Sequence, residues 1–338
     1  MSAGYLEELS LLPCRHVITE KKIKKLKKEL NVDEAERAVI ARYHIVPTSG
    51  WEAIQGRRWD LQDTLVALDN ILHYRPSLPP FPETLSFYAV FDGHGGREVS
   101  DLLETLFLDV LLEEPCLGML RRKNYPEALR SAFSTCGKRI EEFCVEKGMK
   151  GVGSCATVAL LAGHRLVVAN VGDSEVFLGR RVTLMSTNYC DLILSQRHTP
   201  KFPPDAASVV QAGGRIIDER VEGKLAITRA FGDISLRACG RKDGKDLISY
   251  EPFVRAYPLS ARDDFVLLAC DGLFDVLKPK YIAQAVRQGL SKGQTPTIVC
   301  ERLIGSVMNL GSSDNVSALL VYLYKSGSKP AYPSSYQQ

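Results

Sequence analysis

Residues 155–171 read CATVALLAGHRLVVANV. Two apolar runs, 155–162 and 165–171, flank the pair Gly163-His164. Each run has the length of a strand, and a two-residue link containing glycine is the signature of a tight hairpin, so the runs are expected to pair antiparallel. Working outward, short apolar runs predict strands at 64–72, 86–92, 176–178, 225–228, 265–270 and 316–324. Helical periodicity predicts helices at 97–113, 126–147, 281–290 and 297–310. The Pro-rich stretch 75–82 reads as an extended hairpin loop between two strands. Strands arrive in hairpin-like runs and helices are inserted in pairs. That order predicts an α+β fold with antiparallel sheets rather than regular β-α-β winding.

Composition narrows the function classes. The 338 residues are 45% hydrophobic, enough for a sizeable core. The 43 basic and 40 acidic residues leave a net charge of +3, which gives no global case for nucleic-acid binding. No apolar run reaches the roughly 18 residues that span a bilayer, so no transmembrane segment is expected. The start lacks a basic stretch leading into an apolar core and a cleavage site, so secretion is not expected either. The 9 cysteines are scattered and form no C-x-x-C pair, which suits free thiols in a reducing, intracellular setting, cytoplasmic or nuclear, and gives no zinc spacing. Residues 1–44 form a basic extension, expected to be helical, in which Lys21, Lys22, Lys24, Lys25, Lys27 and Lys28 surround Ile23, Leu26 and Leu30. The main domain is expected at 45–325, with a mobile tail at 326–338.

Several aspartates stand at the ends of apolar strands. Asp92 follows 87–91, Asp173 follows 166–171, Asp271 follows 265–270, and Asp314 precedes the run starting at Val316. Carboxylates converging at one rim would repel each other unless cations neutralised them. An all-oxygen donor set favours Mg²⁺ or Mn²⁺ over zinc. The plainer alternative is that each Asp-Gly pair starts a turn.

The run Phe91-Asp92-Gly93-His94-Gly95-Gly96 resembles the signature of the metal-dependent type 2C serine/threonine protein phosphatases. Further blocks follow in that family's order: Gly56-Arg57-Arg58 leading to Gln62-Asp63, Gly153 to Thr157, Gly172-Asp173-Ser174, Ala212-Gly213-Gly214, 225–233, 268–275, and Ser313-Asp314-Asn315. The resemblance covers roughly 45–325 and implies a sandwich of two antiparallel β-sheets flanked on both outer faces by helices. It further implies a site in which Asp92 bridges two Mg²⁺ or Mn²⁺ ions, the Gly93 carbonyl binds one, Asp271 and Asp314 hold the other, and Asp63 acts through bound waters. By the same resemblance Asp173 and Asp275, with Asp271, would form a weaker third-metal site, Arg58 would grip the phosphate, and His94 would protonate the leaving group. The implied reaction is hydrolysis of phosphoserine and phosphothreonine on phosphoprotein substrates by a hydroxide bridging the ions, without a phosphoenzyme. The chain is expected to work as a monomer. Cys270 and His198 are read as structural.

Three positions depart from the family pattern. Gln62 stands where the family commonly has Glu, which predicts weaker metal affinity, with water-mediated binding by the amide still open to it. Glu175 stands where Arg is common after Gly-Asp-Ser. Arg197 stands before His198, where the family usually has an acidic residue. The changes at Gln62 and Glu175 leave an alternative: a catalytically weak or inactive scaffold of the same fold. Retention of Arg58, Asp63, Asp92, His94, Asp271 and Asp314 argues against it, because clustered carboxylates without a cation are costly.

Overall fold

The 155–171 hairpin forms as the sequence predicts, with Ala156–Ala162 paired antiparallel to Arg165–Val171. The computed structural model describes residues 44–237 and 245–326. The basic segment at Lys21 to Lys28, and the expected tail beyond 326, lie outside the described residues.

In chain order the strands are β1 (Ile45–Ile54), β2 (Asp63–Leu68), β3 (Leu85–His94), β4 (Gly153–Ser154), β5 (Ala156–Ala162), β6 (Arg165–Val171), β7 (Glu175–Arg181), β8 (Tyr189–Ile193), β9 (Ile216–Ile217), β10 (Arg220–Val221), β11 (Phe231–Gly232), β12 (Phe253–Pro258), β13 (Asp263–Ala269) and β14 (Val316–Lys325). The helices are α1 (Glu98–Leu111), α2 (Cys116–Arg121), α3 (Tyr125–Glu146), α4 (Pro203–Gln211), α5 (Ile234–Arg237), α6 (Asp271–Phe274), α7 (Pro279–Ser291) and α8 (Pro296–Asn309). One sheet has the order β1-β14-β13-β7-β8, and the other β11-β4-β3-β5-β6-β12 with β2 also on β3. The pairings within both are antiparallel.

Alternation along the central strands assigns their two faces. Tyr88 and Val90 of β3 meet Val266, Leu268, Leu319 and Val321 of the facing sheet, which makes the inner core of the sandwich. Phe87, Ala89 and Phe91 point the other way, onto Leu103, Phe107, Leu129 and Phe133 of α1 and α3. On the opposite outer face, Phe265, Leu267, Leu320 and Tyr322 pack against Ile282, Val286, Val299 and Leu303 of α7 and α8. Strands buried on both faces read as continuous apolar runs, which is why they were conspicuous in the sequence. The fold is the expected α+β sandwich of antiparallel sheets with helices on both outer faces.

Three local expectations differ. The strand expected at 64–72 ends at Leu68; Asn70 instead caps a 3-10 turn, Ile71–His73, its side chain accepting from the Leu72 amide at 3.0 Å. Residues 225–228 form no strand. Leu225 makes an isolated bridge to Val221, and Ile227 fills a separate small core with Val209, Ala212, Val221 and Leu247. The apolar residues there serve that satellite cluster, not a sheet. Strand β1 was missed because Pro47 and Gly50 disguise it. Its partner is β14 alone, an edge position where proline is tolerated. A Cβ on Gly50 would come within 2.5 Å of Thr297 Oγ1, so glycine lets α8 dock closely.

Candidate functional site

Strand register gathers the aspartates. Asp63, opening β2, lies directly across from Asp92 near the end of β3. Asp173 lies in the short turn from β6 to β7, Asp271 lies two residues past β13, and Asp314 precedes β14. Because β13 and β14 pair antiparallel with Ala269 opposite Ala318, Asp271 and Asp314 leave their strands at the same end. Ligand atoms of Asp92, Cys270 and Asp271 lie within 4.8 Å of one another, and so do those of Asp92, Cys155 and Asp173.

The Asp-Gly pairs are not turns. Gly93 continues β3, and its amide donates to the Gln62 carbonyl at 3.2 Å. A Cβ there would sit 2.4 Å from that oxygen. Gly272 lies in α6, and a Cβ on it would sit 2.1 Å from the Asn315 carbonyl. Both glycines are therefore required for close backbone approach beside a carboxylate.

Electrostatics match a site built for cations. Asp63 is buried, and neither carboxylate oxygen makes a well-formed hydrogen bond. Burial pushes its pKa up to about 6; Ser317 and Cys270 nearby offset part of this without aligning as good donors. Asp271 is pushed up to about 7, by burial first and then by Asp173, Asp314 and Asp275, with Arg197 opposing. Asp92 is raised well above the usual carboxylate range by burial and by the charges of Asp63, Asp271, Asp173 and Asp314. The Ser174 hydroxyl donates to its Oδ2 at 3.2 Å. A buried carboxylate without a well-formed hydrogen bond, in register with a second one, is a donor set that could hold a hard divalent cation. The thiols of Cys155 and Cys270 are raised well above their ordinary pKa by burial and these same charges, which keeps them protonated in the metal-free fold. Cys270 accepts from the Ser317 amide at 3.2 Å, in keeping with its reading as a core residue.

Arg58 stands at the rim, with Nη2 2.7 Å from Asp314 Oδ2. Its loop is held by Asn315, whose side chain accepts from the Gln62 amide at 2.9 Å and donates to the carbonyls of Gln55 and Asp60, each at 2.8 Å. The Gln62 carbonyl also accepts from the Ser100 hydroxyl at 2.6 Å. The backbone of Gln62 is thus fixed on both sides whatever its side chain does. Trp59, next to Arg58, is 101% exposed.

His94 ends β3, and its Nε2 lies 2.7 Å from Asp233 Oδ2. Asp233 is buried and holds a left-handed backbone, φ 52°, a conformation that costs a non-glycine residue about 1–2 kcal/mol. A Cβ on Gly153 would fall 2.4 Å from Asp233 Oδ2 and 2.5 Å from His94 Nε2, so the pair closes over a bare glycine. In the sequence Asp233 only closes the 225–233 block. Nothing local marks it as the partner of a histidine 139 positions away. Nothing in the sequence around Asn315 marks its role either. His198 is buried with neither ring nitrogen hydrogen-bonded, and desolvation first, then Arg229, lowers its pKa to about 4. Asp173 is buried, and Asp275, just past α6, is half exposed and ion-paired with Arg197 at 2.7 Å.

A family model described as Protein phosphatase 2C matches residues 48–316. The chain belongs to the protein phosphatase 2C family. It is 35% identical over 281 residues to Protein spalten of Dictyostelium discoideum, a match covering 81% of this chain and 28% of that protein. It is 32% identical over 263 residues to Protein phosphatase 2C homolog 2 of Schizosaccharomyces pombe, covering 75% of this chain and 65% of the relative. The chain therefore spans little more than a quarter of the first relative and just under two thirds of the second. Among solved structures, serine-threonine phosphatase 2C from Toxoplasma gondii superposes with a TM-score of 0.68 at 20% identity, over 83% of this chain and 98% of that one. That likeness speaks to the fold. Phosphatases 2C are metal-dependent serine/threonine phosphatases, and this member carries acidic clusters that could hold a metal. Among the described residues no helix is long and apolar enough to cross a membrane.

Proposed function

We propose that this chain hydrolyses phosphoserine and phosphothreonine on proteins, using two Mg²⁺ or Mn²⁺ ions held by Asp92, Asp63, Asp271, Asp314 and the Gly93 carbonyl. The observation that carries the reading is Asp63: a buried carboxylate with no well-formed hydrogen bond, in register with Asp92, which Asp271, Asp173 and Asp314 also crowd. Bound divalent cations would supply charge neutralisation and Lewis acidity. The rest of the work falls to side chains. Arg58 offers a forked donor for two phosphate oxygens. His94 delivers a proton to the departing serine or threonine oxygen, and Asp233 orients the imidazole for that transfer. Asn315 and Ser100 keep the Arg58 loop in place. The bare indole of Trp59 beside Arg58 favours a peptide substrate, because it can stack on residues flanking the phosphate.

Gln62 supports a second reading, a weak or inactive scaffold, since a neutral amide replaces a charge near the ions. The test is hydrolysis of p-nitrophenyl phosphate with Mn²⁺ and then excess chelator. Turnover that appears with Mn²⁺ and stops with chelator supports the enzyme. Turnover untouched by chelator rules out a metal centre, and none at any Mn²⁺ concentration in folded protein favours the scaffold.

A further inference from the structure

The two remaining departures, Glu175 and Arg197, meet in space. Arg197 Nη1 lies 2.7 Å from Asp275 Oδ1 and 3.6 Å from Glu175 Oε1, and Nη2 lies 3.9 Å from Asp173 Oδ2. One guanidinium thus spans three carboxylates, two of which are the third-metal candidates. The exchange is reciprocal: where the resemblance predicts a basic residue at 175 and an acidic one at 197, this chain has the opposite charges facing each other.

Hydrogen bonds hold the segment that carries Arg197 in place. Ser195 accepts from the Val176 amide at 2.9 Å, Gln196 exchanges hydrogen bonds with the Asn170 side chain at 3.1 and 2.7 Å, and the His198 amide donates to the Gly172 carbonyl at 2.9 Å. Residues 195–198 are therefore laced to the β6–β7 hairpin that carries Asp173 and Glu175. Arg197 is only one third exposed, and Glu175 and Asp173 less. A guanidinium has five N–H donors and no lone pair for a metal. A divalent ion entering here would have to displace it from Asp275 and Asp173 and would meet its positive charge at contact range.

We infer that Arg197 is a tethered cation standing in for the third ion, so that this chain binds two divalent ions and no third. The inference rests on the two-ion reading above. It makes Arg197 a positioning residue: it neutralises Asp173 and Asp275 without touching substrate, and it leaves the Asp92 cluster as the chain's metal site.

The experiment counts bound Mn²⁺ directly, by the electron paramagnetic resonance signal of the free ion, with thermal unfolding as a check on folding. The whole chain is expected to saturate at two ions, and Asp275→Asn to leave that number unchanged. Arg197→Gln is expected to add a third ion, bound at least about tenfold more tightly than any third ion in the parent, since one positive charge a few ångström from a divalent ion has that effect even in water. Adding Asp275→Asn to Arg197→Gln should remove it again. The paired exchange Glu175→Arg with Arg197→Glu should also bind three. Three ions in the parent, with one lost in Asp275→Asn, would overturn the inference, and so would two ions in both the parent and folded Arg197→Gln. No Mn²⁺ bound by the parent would overturn the two-ion reading along with it.

Discussion

Replacing Asp271 by Asn should stabilise the metal-free protein while destroying its response to metal. Burial and the charges of Asp173, Asp314 and Asp275 push Asp271 from 3.8 to about 7. At pH 8 the native state therefore holds this carboxylate ionised at a cost of about 4 kcal/mol, roughly 3 units at 1.36 kcal/mol each. Asparagine is nearly the same size and carries no charge. It forgoes the interaction of an acid with the first turn of α6, about 0.5 kcal/mol at such a site. Allowing as much again for imperfect amide pairing, the net gain is about 3 kcal/mol, or about 6 °C in Tm for a domain of this size. Calorimetry in EDTA at pH 8 reads this directly. At pH 5, where folded Asp271 is protonated, the gain should shrink to about 1 kcal/mol. Added Mn²⁺ at about 100 times its Kd should stabilise the parent by about 2.7 kcal/mol and the variant far less. A variant less stable than the parent in EDTA, or one that keeps the full Mn²⁺ shift, would refute the reasoning.

Other outcomes follow from the same geometry. In EDTA, Asp63 at about 6 and Asp271 at about 7 make the folded chain hold protons that the unfolded chain releases near pH 4, so stability falls as pH rises through that range. His198, neutral in the fold down to about pH 4, acts oppositely and only below its unfolded value of 6.5. Tm in EDTA should therefore drop as pH rises from about 4 to 7 and level off above that, and Mn²⁺ should remove the drop. His94→Ala should lower kcat about 100-fold or more on a phosphoserine peptide, whose alkoxide needs a proton, and much less on p-nitrophenyl phosphate. Asp233→Asn should show the same selectivity more weakly; equal losses on both substrates would count against an acid role. Arg58→Ala should raise KM for phosphopeptides about 10- to 100-fold, the loss of one or two charge-assisted hydrogen bonds. Trp59→Ala should raise KM for peptides while leaving p-nitrophenyl phosphate unaffected, and an equal effect on both would remove its peptide-docking role.

What the sequence revealed and what it hid have physical reasons. Strands β3, β5, β6, β13 and β14 announced themselves because both their faces are buried. The aspartates were legible because each ends or begins such a strand, and antiparallel pairing brings strand ends together. Edge strand β1 was hidden by Pro47 and Gly50, and 225–228 was misread because its apolar residues feed a small core outside both sheets. Asp233 and Asn315 depend on contacts across the chain, with His94 and with the Arg58 loop. Glu175 and Arg197 were each visible as an odd residue. Only the fold showed that they face each other.

The most direct test measures phosphate release from a phosphothreonine peptide across a Mn²⁺ titration, for the parent chain and for Asp92→Asn. Saturable, Mn²⁺-dependent release by the parent, abolished by the substitution in a protein that still folds, is the predicted result. Release that ignores Mn²⁺, or that survives in Asp92→Asn, would contradict the account.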